Sequence, residues 1–90
     1  MDMYRSALEY WQQTGNKIWL SNLLNNLGVL QHITGNYLEA ITTFEQALKF
    51  ARESGYAKLE AFILTGIGDI YGEMEAVEEA QQAYQQARQI

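Results

Sequence analysis

Laid over itself with a shift of 40 residues, the chain repeats: Leu24, Gly28, Glu39, Ala40, Gln46 and Ala47 recur as Leu64, Gly68, Glu79, Ala80, Gln86 and Ala87. That is six identities in the thirty pairs from Ser21/Ala61 to Phe50/Ile90, where average composition gives about two by chance. Chemical type is kept as well, since Leu23/Ile63, Leu27/Ile67, Leu30/Ile70 and Phe44/Tyr84 pair apolar with apolar. Shifted the other way, Tyr4, Ala7, Leu8 and Gly15 fall under Phe44, Ala47, Leu48 and Gly55, so the chain reads as opening in the second half of a unit, a piece of a longer array. A chain built this way has to bury its apolar faces between neighbouring units of one design.

Each unit reads as two helices. Apolar residues return at helical spacing in Leu20, Leu23, Leu24, Leu27 and Leu30, and again in Ala40, Ile41, Phe44, Ala47, Leu48 and Ala51. Thr14-Gly15-Asn16 and Thr34-Gly35-Asn36 share one arrangement, with Gly free to take the left-handed conformation past a helix end and Asn placed to accept from the next helix's free amides. Ser54-Gly55 closes a third helix in the same way, and the repeat places a fourth turn near Glu75-Ala76, where Gly is missing. The pattern predicts five helices near 2–13, 17–34, 37–53, 57–74 and 77–89. No strand signal competes.

Leu24-x-x-Leu27-Gly28 and Leu64-x-x-Ile67-Gly68-x-x-Tyr71, each followed by Ala-x-x-x-Phe/Tyr-x-x-Ala at Ala40, Phe44, Ala47 and at Ala80, Tyr84, Ala87, resemble the tetratricopeptide repeat pattern over the whole chain. Gly28 and Gly68, with Ala40 and Ala80, are small where paired helices should cross, and Phe44 and Tyr84 are large enough to fill the gap between units. Leu24 and Leu64 stand at the usual Trp position, the closing Pro is absent, and the period is 40 residues where the standard unit has ~34. The longer unit resembles the variant of bacterial LuxR-type and antibiotic-regulatory-protein-type activators, of quorum-response regulators and of animal spindle-orientation scaffolds. The stretches Asn25–Gly28 and Ala40–Gly55 look most bacterial. The resemblance implies an all-α fold, a right-handed α-solenoid of about two and a half helix-turn-helix units. Residues 1–90 then form a single domain, with 1–15 the second helix of a truncated repeat, 16–55 a full repeat and 56–90 the last.

Composition narrows what such a domain can do. There is no cysteine, hence no disulfide framework and no thiol chemistry, which fits a reducing cytoplasm. Apolar runs fall far short of the ~20 residues that span a bilayer, and Met1-Asp2 begins no signal peptide, so a cytoplasmic protein without a membrane partner is expected. Net charge is −5 and lopsided: residues 1–58 hold five acids and five bases, whereas the rest hold six acids and only Arg88. Glu60, Asp69, Glu73, Glu75, Glu78 and Glu79 repel a phosphate backbone, which argues against direct nucleic-acid contact. They read as a solvated face around a turn, or as a weak site for a basic partner.

Catalytic groupings are missing, so no enzyme activity, cofactor or metal is expected. His32 is the only histidine and has no acid at i±4; it reads as a groove or surface residue, and no nucleophile–base pair forms locally. Asp69 and Glu73 lie one turn apart without an apolar surround to raise a pKa. Gly66, Gly68 and Gly72 fall inside a helix pattern, not after a strand, which excludes a phosphate loop. Gly68 is explained by packing; Gly66 and Gly72 point to close approach of a neighbour or ligand, or to tolerated softness. Tyr10, Trp11 and Trp19 read as packing at the first junction between units.

In the resembling family the first helix of each unit lines a concave surface. Register places this groove on Asn22, Asn25, Val29 and His32 in the first full unit, and on Phe62, Thr65, Asp69 and Gly72 in the second. Asn25 can both donate to and accept from an extended peptide's backbone, or can serve a polar contact within its helix. Two readings follow. One is a protein-interaction module that holds a peptide or partner domain in the groove, or self-associates through exposed terminal helices, within a larger bacterial regulator. The other is the inducer-sensing segment of a bacterial transcriptional regulator. Self-association is expected from Met3, Leu8, Trp11, Ala83, Ala87 and Ile90, the apolar residues at the two cut ends.

Overall fold

The computed structural model describes residues 16–90. Four helices run through them: α1 (Lys17–Ile33), α2 (Tyr37–Ser54), α3 (Ala57–Glu73) and α4 (Val77–Arg88). Each boundary lies within one residue of the sequence expectation; the helix expected at 2–13 lies outside the described residues. α1 packs on α2 and α3 on α4, and α2 then joins α3, so two helix pairs stack in chain order.

The three turns share one hydrogen-bond pattern. After α1 the amide of Gly35 donates to His32 O (3.1 Å) and that of Asn36 to Gln31 O (2.8 Å); after α3 Glu75 and Ala76 do the same to Gly72 and Tyr71. After α2, Gly55 and Tyr56 donate to Arg52 and Ala51. This closure requires a left-handed residue at its apex. Gly35 (φ 86°) and Gly55 (φ 75°) supply it freely, and Glu75 supplies it at φ 62° against the steric cost of its Cβ. Caps at the helix starts are less uniform: Asn16 Oδ1 accepts from the Trp19 amide (3.1 Å), whereas Asn36 departs from expectation. Its side chain makes no cap bond and instead donates to Thr34 Oγ1 (3.3 Å).

The core is built on one aromatic ring. A Cβ added to Gly28 would stand 2.9 Å from the Phe44 ring, and one added to Gly66 would stand 3.4 Å from its tip. Phe44 is only 2% exposed, and its ring packs against α1 at Gly28 within its own unit and reaches α3 of the next at Gly66. Gly66, which sequence alone leaves open, borders the ring at ordinary van der Waals distance, so the packing does not require a glycine there. Tyr84 repeats the first contact against Gly68, at 2.7 Å, but is half-buried and ends its reach by donating a hydrogen bond to Asp69. Around the Phe44 ring, Leu24, Ala40, Ile41, Ala47, Leu48, Ala51, Ile63, Leu64, Ile67 and Ile70 close the core.

The last helix ends differently from the sequence expectation. Ala83 is buried and Ala87 packs against the core, so of the three apolar residues expected bare at this end only Ile90 is exposed; Met3, Leu8 and Trp11 lie outside the described residues. Where α2 turns Ile41 and Leu48 into the core, α4 carries exposed Gln81 and Arg88 at the matching positions.

Glycine exchanges test this geometry. Glu75→Gly relieves the left-handed strain and should stabilise by about 0.5–1 kcal/mol. Gly72, whose Cβ would meet nothing within 4 Å, should gain up to ~1 kcal/mol as Ala. Gly28→Ala should lose about 1–3 kcal/mol because the enclosed Phe44 ring must move, and Gly28→Leu more. Thermal melts of the four single variants check the order; a Gly28→Ala melt equal to the parent's would contradict the packing.

Candidate functional site

α1 and α3 lie side by side and run the same way. The N-terminal half of α1 meets the N-terminal half of α3 around one cleft, and His32 near the end of α1 meets Glu73 at the end of α3. The cleft, of about 280 Å³, is lined by Asn22, Asn25, Tyr56, Lys58, Leu59 and Phe62. Of the eight residues that sequence reasoning placed in a groove, three are therefore brought together: Asn22, Asn25 and Phe62. Tyr56, Lys58 and Leu59 were missed. Leu59 and Lys58 stand three and four residues before Phe62, so extending its helical spacing by one turn finds them.

The three differ in what they offer. Phe62 is 63% exposed, a large apolar surface left open to solvent. Asn22 is exposed beside it. Asn25 is only 8% exposed, and its Oδ1 is covered without a hydrogen-bond partner among the described residues, a state that costs free energy unless something supplies the missing bond. Gln31 Oε1 is likewise covered and unpaired, in a hollow with Leu38, Thr42 and Thr43, none of which was expected to bind.

The remaining five expected residues do not line the cleft, and Gly72 faces open space. Thr65 donates back to Ala61 O of its own helix (2.9 Å), and Val29 is exposed. Asp69 accepts from the Tyr84 hydroxyl (2.5 Å), a contact that pushes the Tyr84 phenol above its ordinary value, chiefly by that hydrogen bond. His32 Nε2 lies 2.9 Å from Glu73 Oε2 and edge-on to Tyr37, ring centroids 5.7 Å apart. Glu73 is held below the usual carboxylate range, first by its hydrogen bond with His32 and then by Tyr37, and in turn pushes the Tyr37 phenol up. The missing acid of His32 thus comes from the next unit, 41 residues away.

Among the described residues no group of three His, Cys, Asp or Glu side chains is placed to hold a metal ion, and no helix is long and apolar enough to cross a membrane. What the cleft offers is an amide, an ammonium and apolar surface between two parallel helices, repeated scaffolding beneath them.

The tetratricopeptide repeat profile matches residues 2–53 and, overlapping it, residues 19–90. The chain belongs to the tetratricopeptide repeat family. Such repeats mediate protein–protein interaction. The chain is also similar to the protein kinesin light chain-related 3 of Arabidopsis thaliana, 29% identical over 83 residues, which covers 90% of this chain and 13% of that protein. No solved structure matches it.

The Glu73 contact gives a pH dependence of known sign. A carboxylate whose folded pKa is depressed contributes stability that is complete above the ordinary carboxylate range and is lost as pH falls through its folded value. Glu73→Gln should therefore melt below the parent at neutral pH, with the gap closing on acidification. Paired melts across the acid range check this; a gap that does not change with pH would contradict it.

Proposed function

We propose that this tetratricopeptide repeat domain is a binding module, without catalysis, that holds a short extended peptide of a partner protein in the groove between α1 and α3. The observation that carries the reading is Asn25: a covered side-chain amide with an unpaired oxygen, lining a cleft beside exposed Phe62. Turning about its last torsion, that amide presents a donor and an acceptor to a peptide main chain. Phe62 and Leu59 supply the apolar area that such a backbone contact needs for affinity. The cleft lies at the N-terminal end of the face that α1 and α3 share, and from Lys58 to Glu73 that face runs ~22 Å along α3, a length that about seven extended residues cover.

The parent protein is proposed to be a cytoplasmic bacterial regulator of LuxR-type organisation. The 40-residue period and the Ala40–Gly55 stretch support this. Sensing of a small inducer is the second reading of the same groove; the open cleft, flanked by exposed Tyr56 and Phe62, favours a peptide, since small-molecule sites bury most of their ligand. Self-association remains a further use of the exposed ends, with Val77 and Ile90 as its apolar contacts.

Selection from a displayed library of random peptides of about seven residues supplies a ligand. Asn25→Ala and Phe62→Ala should each weaken the selected peptide by roughly 1 kcal/mol or more, measured by calorimetry, with melts close to the parent's. Equal binding by both variants would move the site to the outer faces of α2 and α4. Sedimentation equilibrium of the free chain tests self-association separately, and a monomeric mass at every concentration would remove it.

A further inference from the structure

The groove is electrically polarised along its length. Lys58 lines its N-terminal end and has no ion-pair partner among the described residues, whereas Lys17 is paired with Glu53 and Arg52 with Glu60. Lys58 also sits in the first turn of α3, where the unpaired backbone amides add positive potential. Eleven residues further along α3 stands Asp69, and one turn beyond it Glu73. The Asp69 carboxylate accepts from the Tyr84 hydroxyl and that of Glu73 lies against His32, so two carboxylates stand at the C-terminal end. Because α1 and α3 are parallel, their C-terminal carbonyls reinforce the negative end.

We infer that the peptide this groove takes is charge-ordered: an acidic residue at the Lys58 end, an apolar residue against Leu59 and Phe62, and a basic residue at the Asp69 end. The inference rests on the groove being a peptide site, and Asn25, nine-tenths buried with an unpaired oxygen, is the independent mark of that. Lys58 and Asp69 lie ~16 Å apart along α3, which sets the two charged ligand residues about five positions apart in an extended strand. A uniformly acidic peptide meets Asp69 and Glu73, and a uniformly basic one meets Lys58, so the field selects against both.

Four acetylated and amidated peptides with one shared apolar centre test this by calorimetry: Glu first and Lys last, Lys first and Glu last, Glu at both ends, and Lys at both ends. Because an extended strand can enter in either direction, the tighter of the two mixed peptides reports the direction of the chain. It should bind about two- to fivefold more tightly than either like-charged peptide at low ionic strength, with the advantage lost near ~1 M salt. Lys58→Glu should make the doubly basic peptide the tightest. Asp69→Asn, which keeps an acceptor for Tyr84, should remove the gain from the lysine end. Equal binding by all four peptides, weakened throughout by Asn25→Ala, would overturn the charge order and leave the groove reading standing. Binding that Asn25→Ala does not change, or no binding by any of the four, would overturn both.

Discussion

The Phe44 ring on the bare backbone of Gly28 is the contact on which the rest of the molecule depends. A Cβ there would stand 2.9 Å from the ring, so the two helices approach as closely as they do only because position 28 has no side chain. The same ring touches α3 at Gly66 and so fixes the second unit against the first. Truncating a buried Phe costs about 3–5 kcal/mol in other cores, and here the loss would fall on three helices at once. The relative placement of α1 and α3, hence the width of the groove between them, rests on that ring together with the His32–Glu73 contact.

The 40-residue shift made this framework readable. The pairs Leu24/Leu64, Gly28/Gly68, Ala40/Ala80 and Phe44/Tyr84 recur in the packing, whereas Leu30 is exposed where Ile70 is buried. The turn at Glu75 was placed correctly by register although no glycine marks it, because the neighbouring helices dictate the backbone there and override local preference. What register could not give is what the repeat does not share. Ser21 donates from full burial to Ala47 O (2.8 Å), yet its counterpart is Ala61. The His32–Glu73 contact joins different positions of successive units, and the Asn36 side chain takes a local partner over its cap.

The groove follows a different rule from the core. Its paired positions, Asn22/Phe62, Asn25/Thr65, Val29/Asp69 and His32/Gly72, all differ in chemistry within one chain. Identical scaffolding therefore presents two unlike strips of side chains, one centred on amides and the other on an aromatic and a carboxylate. Spacing showed which residues share a face, but whether they face a partner or one another depends on how the two helices are set side by side, which only the packing decides. Asn25 and Phe62 remain open for a ligand, Thr65 bonds within its own helix, and exposed Asp69 gives only Oδ1 to the Tyr84 hydroxyl.

The central claim is that the α1–α3 groove, with Asn25 at its floor, is the binding surface. Titrating isotope-labelled protein with a library-selected peptide and following amide resonances tests it most directly. The account predicts that the Asn25 side-chain amide and the backbone of residues 56–62 shift together and saturate together, while Thr42, Lys49, Gln82 and Gln86 on α2 and α4 stay still. Shifts concentrated on those outer residues, with the Asn25 side chain silent, would contradict it.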